Sequence, residues 1–236
     1  MSSSSTIRAQ DDLKVDLDAV AGTMDAALAE LQSPFDNFVQ RQYRQMSPLV
    51  RAAVVLAVGA TTGARKHRQR FIDLGAAIEM LYLAVHVHTQ LLPGSAIHQN
   101  SDRSLMGSAI LAGDFCFSRA SSLAVRTDSP AVVDLFAQAL KHVSEGHLRQ
   151  LFHAGAAPYD ENRELFISGA AAALSLAHAG VDDAAVVQQM VDALADVVSG
   201  TKTATAIAEM IASMPLSPSQ QRVWLTVLDM AGQLPG

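Results

Sequence analysis

Between Lys66 and Leu92 the apolar residues Leu74, Ile78, Leu81 and Val85 recur three or four positions apart, and His88 continues the stripe. That spacing lays one apolar face along a helix and predicts a single long helix over the whole run. Pro93-Gly94-Ser95 stops it, and a polar loop through His98, Gln99 and Asn100 leads to a second predicted helix from about Asp102 to Val125. The second helix carries the tripeptide Gly113-Asp114-Phe115. The stretch from Arg68 to Arg119 is therefore helix, break, helix, and the rest of the chain is organised around it.

The same pattern extends in both directions. From Asp11 to Gln32 the residues Val15, Leu17, Val20, Met24, Leu28 and Leu31 keep near-helical spacing until Ser33-Pro34. A short segment through Phe35, Phe38, Val39 and Tyr43 follows, and Ser47-Pro48 reads as an N-cap and first-turn proline for a helix over Leu49 to Gly59. Asp128-Ser129-Pro130 repeats that start for a helix through Val133, Phe136, Leu140, Val143, Leu148 and Phe152. Further helices are predicted over Glu161–His178, Asp182–Val198, Thr203–Met214 and Ser217–Leu234. There is no period-two alternation and no fixed repeat. Half of the residues are hydrophobic but only 5% are aromatic, which favours close-packed helices over a β-sandwich. The expectation is an all-α protein of roughly nine or ten helices, with residues 1–10 a disordered tail and 11–236 one domain.

Charge narrows the function. A net charge of −6 argues against nucleic acid as a partner, which needs a basic face. The cluster Arg65-Lys66-His67-Arg68 with Arg70 is short and reads as a solvated helix start. One cysteine, Cys116, forms no internal disulfide. Met-Ser-Ser-Ser-Ser lacks the charge and apolar run of an export signal, so the expected compartment is cytoplasmic. No run reaches the 18 to 20 or so uninterrupted apolar residues that span a bilayer. Ala52–Ala60 and Leu165–Ala179 come nearest and read as core helices.

Glu79, Leu81, Ala84 and His88 stand in the order E-x-L-x-x-A-x-x-x-H, and Ala109-Ile110-Leu111-Ala112-Gly113-Asp114-Phe115 supplies A-I-L-x-G-D-[YF]. This layout resembles the trans-polyprenyl diphosphate synthase family, in which the first motif continues D-D-x-x-D into a magnesium site. Glu145-Gly146-His147-Leu148-Arg149-Gln150 is similar to the family's G-E-x-x-Q turn, with histidine for glutamate. The resemblance covers about Arg44 to Ala173 and implies an isoprenoid-synthase-type bundle around a central cavity. Glu79, Leu81, Ala84, Asp114, Phe115 and Gln150 would be its cavity or structural residues.

The family's chemistry needs Mg²⁺ held by carboxylates and diphosphate oxygens. Where its first aspartates stand, this chain has Thr89, Gln90 and Pro93 after His88. Its second motif, Q-x-x-D-D-x-x-D, has two candidate places, Gln189 to Asp196, which keeps Asp192 and Asp196 without the doublet, and by helix order the stretch near Ala206 to Met214, which has only Glu209, so the motif reads as absent. The basic strip G-G-K-R-x-R-P is reduced to Arg44 and Pro48, leaving Arg44 and Arg103 as candidate diphosphate contacts. The lysine-threonine pair before Leu165-Phe166 is replaced by Asn162-Arg163-Glu164.

Packing positions kept and ligands lost is the pattern of the non-catalytic small subunit of heteromeric hexaprenyl or heptaprenyl diphosphate synthases. The resemblance thus implies no catalytic residue and no cofactor on this chain alone, with Mg²⁺ on a catalytic partner subunit in a heterodimer or heterotetramer. A homodimer, an isoprenoid-binding protein and an enzyme on a prenyl substrate with relocated chemistry stay open. His86 and His88, two apart, point about 200° apart on a helix and do not share a metal. Asp114, in an apolar run, reads as a buried tether between helices, and Cys116 as a small core residue. There is no G-x-S-x-G elbow and no phosphate-binding glycine loop.

Overall fold

The computed structural model describes residues 2–33, 35–46, 48–90, 103–153 and 159–234. Among them there are ten α-helices and no strand: α1 (Ser2–Leu28), α2 (Phe35–Gln45), α3 (Val50–Thr61), α4 (Arg68–Thr89), α5 (Arg103–Val125), α6 (Pro130–Phe152), α7 (Glu161–Ala177), α8 (Val181–Val198), α9 (Ala204–Ser213) and α10 (Pro218–Ala231). A 3₁₀ turn over Arg65–His67 leads into α4.

Local chemistry explains most of these boundaries. Ser129 Oγ accepts from Val132 N with Pro130 in the first turn of α6, Asp160 Oδ1 accepts from Arg163 N at the start of α7, and Thr203 caps α9. Ser217 and Gln220 form a reciprocal capping box on α10. Two boundaries differ from expectation. α1 begins at Ser2, inside the segment assigned to a tail, and ends at Leu28 rather than Gln32. α3 begins at Val50 with Leu49 as cap residue and no side-chain cap; Ser47, expected to cap it, lies outside the described residues.

α4 is the hub, packed against α1, α2, α3, α5 and α7. By length and composition it is the one described helix able to cross a membrane, but 83% of its most apolar window is buried in the bundle. Leu74, Ala77, Ile78, Leu81 and Ala84 are fully inaccessible, so its apolar residues are used up on neighbouring helices on all sides. α10 packs against α1 and α3. Its Trp224, fully buried, donates from Nε1 to Thr61 Oγ1 at 2.9 Å, and Gln220 Nε2 donates to the Thr61 carbonyl at 2.7 Å. Replacing Thr61 by Val keeps the volume but leaves the indole N–H without an acceptor. A loss of about 1–3 kcal/mol in urea unfolding is expected, and T61S should retain most of the wild-type stability.

Candidate functional site

The centre of the molecule is an ion pair. Glu79 and Arg51 both have side chains that are 0% exposed, with Arg51 Nη1 3.1 Å from Glu79 Oε2. Glu79 Oε1 also accepts from the backbone N–H of Arg51 (2.8 Å) and Ala52 (3.0 Å). Those amides belong to the first turn of α3, the helix with no cap of its own, so a carboxylate on α4 caps α3 from a distance. Arg51 Nη2 donates to Asn162 Oδ1 at 2.6 Å in the first turn of α7, and the guanidinium lies 3.3 Å from the centroid of the Tyr82 ring. Three helices thus meet on one guanidinium.

Around this pair lies a ring of half-buried polar groups. Tyr82 stacks on His86, centroids 6.2 Å apart. Burial pushes the Tyr82 phenol up, partly opposed by Arg51. Burial lowers His86, partly opposed by Glu161. On α2, burial together with the charges of Asp25 and Glu79 pushes Tyr43 up to about 12. From α6, His147 Nε2 contacts Glu161 Oε2 at 3.0 Å and meets the Tyr159 ring edge-on. Gly146 admits that ring, since a Cβ there would lie 2.3 Å from it.

The end of α4 carries His88, Thr89 and Gln90. Thr89 Oγ1 donates to the His86 carbonyl at 2.8 Å, a bond internal to the helix. His86 and His88 leave α4 on different faces, His88 stacking on Phe117 of α5 at 5.2 Å. Its Nε2 sits 3.4 Å from Asp114 Oδ1 without the alignment of a hydrogen bond. Gly113 makes this approach possible, because a Cβ there would lie 2.3 Å from His88 Nε2. Asp114 is not the buried acid its surroundings in sequence suggest: its side chain is 63% exposed, on the outer face of α5. The other sequence candidates scatter. Leu81 and Ala84 are core residues, Phe115 lies beneath the Arg119 guanidinium, Gln150 is exposed, and exposed Arg44 reaches Gln40. Arg103 opens α5, while Pro93 lies outside the described residues.

On α8, Asp192 and Asp196 share a face and both are already paired. Arg163 Nη2 is 2.9 Å from Asp192, its Nη1 3.9 Å from Asp196, and Lys202 Nζ 2.9 Å from Asp196. The Lys202 bond holds the Asp196 carboxyl below the usual carboxylate range. With Thr89 and Gln90 neutral and these acids paired to cations, the described donor set does not fit a magnesium cluster. Among the described residues no three His, Cys, Asp or Glu side chains converge for a metal.

Arg51 belongs to none of the sequence motifs, and Asn162 enters them only within the replaced lysine-threonine pair. The signal was present: Arg51 is the lone charge in Val50–Thr61, and Glu79 the lone acid between Leu74 and Thr89. Two opposite charges, each isolated in an apolar helix, have to find one another. A cavity of about 390 Å³ lies elsewhere, lined by Leu13, Leu56, Phe71 and Val223 with Asp12, Asp16 and Arg68 among its polar groups. It opens beside the start of α4, about 30 Å along the helix from Thr89.

Residues 29–205 match the profile of the polyprenyl synthetase family. Among solved structures, the chain resembles a decaprenyl diphosphate synthase from Rhodobacter capsulatus, with TM-score 0.66 and 19% identity over 89% of this chain and 69% of that one. It also resembles a polyprenyl synthase from Caulobacter crescentus, solved with calcium and isoprenyl diphosphate, with TM-score 0.64 and 17% identity over 97% and 85%. An isoprenoid synthase family member from Thermotoga neapolitana gives 0.61 and 16% over 91% and 87%. These likenesses establish the isoprenoid synthase fold. No curated protein matches the chain.

Two outcomes follow from this geometry. R51M or E79Q, each stranding one buried charge, should cost about 3–5 kcal/mol in chemical unfolding, while R51M/E79Q, which removes both charges and keeps a side-chain oxygen for the Arg51 and Ala52 amides, should lie closer to wild type than the sum of the two. Burial lowers the His86 pKa, so the stability tied to its neutral form is complete above the unfolded value of about 6.5 and is lost as pH falls from there through the lowered folded value. H86Q should therefore show a flatter melting-temperature profile than wild type between about pH 7 and pH 5.

Proposed function

We propose, from the premise that the chain belongs to the polyprenyl synthetase family, that it serves as the non-catalytic small subunit of a heteromeric polyprenyl diphosphate synthase. One observation carries the reading. The helical scaffold around Glu79, His88 and Gly113 is retained, while the positions that would gather magnesium hold Thr89 and Gln90, and Asp192 and Asp196 are paired with Arg163 and Lys202. Ionising an allylic diphosphate requires divalent metal to take up the charge that develops on the leaving group. A partner carrying both aspartate motifs would supply it, and this chain would contribute shape across a helical interface. Arg44 and Arg103 would be its candidate contacts for a diphosphate.

A second reading, a stand-alone isoprenoid-binding protein, is favoured by the cavity between α1, α3, α4 and α10, where Leu13, Leu56, Phe71 and Val223 offer an apolar wall beside Asp12, Asp16 and Arg68. Retained lipid in the native mass spectrum of the purified chain would support it. The subunit reading is tested by co-expression with a full-motif homologue from the same genome, followed by an elongation assay with Mg²⁺. A stable complex whose product length differs from that of the homologue alone is expected. No complex and unchanged products would overturn the reading.

A further inference from the structure

We propose that Arg163 and Lys202 are built-in counter-ions of the Asp192–Asp196 face of α8, standing where a divalent cation would stand, and that removing them makes this face responsive to magnesium. The inference shares the Asp192–Asp196 pairing with the subunit reading, but it concerns only how this chain neutralises its own carboxylates.

Asp192 and Asp196 are one turn apart on α8, where like charges repel. Two partly exposed carboxylates at that spacing are neutralised by a shared metal ion, by cations delivered from neighbouring segments, or by neither and left to water. Here the cations come from two directions. Arg163 projects from the first turn of α7, whose backbone is fixed by the Asp160 cap, and its two terminal nitrogens address both acids, at 2.9 Å and 3.9 Å. Lys202 comes from the turn after α8. That turn is folded back because the Asp196 carbonyl accepts from Thr201 N (2.9 Å), Lys202 N (3.1 Å) and Thr201 Oγ1 (3.0 Å), which places Nζ 2.9 Å from the Asp196 carboxylate. The remaining Asp192 oxygen accepts from Gln188 Nε2 at 3.1 Å. A magnesium ion entering between these carboxylates would have either to displace both cations or to sit within a few ångströms of them, where like-charge repulsion opposes it.

The test is thermal unfolding of the full chain at low ionic strength, titrated with MgCl₂ and in parallel with NaCl at matched ionic strength. For the wild type the two curves should coincide. R163Q/K202Q should melt about 2–4 °C lower, regain that loss in millimolar MgCl₂ but not in matched NaCl, and lose the response when D192N/D196N is added. A magnesium-specific rise in the wild type, or no magnesium-specific recovery in R163Q/K202Q, overturns the proposal. If R163Q/K202Q does not fold, K202Q alone must show a magnesium-specific recovery, and its absence overturns the proposal equally. No partner or substrate enters the experiment, so its failure is distinct from failure of the subunit reading.

Discussion

The carboxylate of Glu79 is the point on which the bundle depends. It accepts two backbone amides at the start of α3 and one guanidinium nitrogen of Arg51, all without access to solvent. Burying a carboxylate and a guanidinium is costly, and the pair is tolerable only because nearly every polar atom finds a partner. Arg51 spends its remaining capacity on Asn162 and the face of Tyr82, although its Nε is left without a hydrogen bond. The consequence is geometric. α3, α4 and α7 are held in one register, because shifting any of them would strand a charge.

From that junction the rest of the site takes its position. Consecutive residues at the start of α7 face different tasks: Asn162 turns to Arg51, Arg163 to Asp192 and Asp196, and Glu161 to His147. A single helix turn thereby couples the buried pair to the outer face of α8 and to α6. At the far end of α4, His88 fits against α5 only over Gly113, so α4 and α5 are also set in register by a steric requirement rather than a bond. These contacts leave neutral side chains at the end of α4 and internal cations on the acidic face of α8.

The two families of charge differ in what they cost and what they hold. Arg51 and Glu79 are inaccessible, so their loss would be felt through the whole fold. Arg163, Asp192 and Lys202 are about half exposed, and water screens them, which limits each pair to a small contribution. The buried pair therefore sets the architecture, whereas the exposed group sets the local charge of α8 with little effect on the fold.

Much of this was written in the sequence. Helical periodicity in α4, the Ser-Pro starts of α6 and α10 and the Asp160 and Thr203 caps are local features, decided by residues a few positions apart, and the all-α class follows from them. The order of Glu79, Ala84, His88 and Gly113-Asp114 was also legible, as was the neutrality of Thr89 and Gln90. Three things were decided only by tertiary structure. Arg51 meets Glu79 across 28 residues and Asn162 across 111, a pairing set by the crossing of three helices. Asp114 faces solvent although its neighbours in sequence are apolar, because the packed face of α5 passes through Ala112, Cys116 and Ala120 instead. Asp192 and Asp196 are neutralised by cations from a preceding helix and a following turn, which no spacing rule within α8 contains. Local sequence determines which segments coil and which face is apolar; which charge lies opposite which is set by helix packing, because desolvated ions are stable only where the assembled fold supplies their partners.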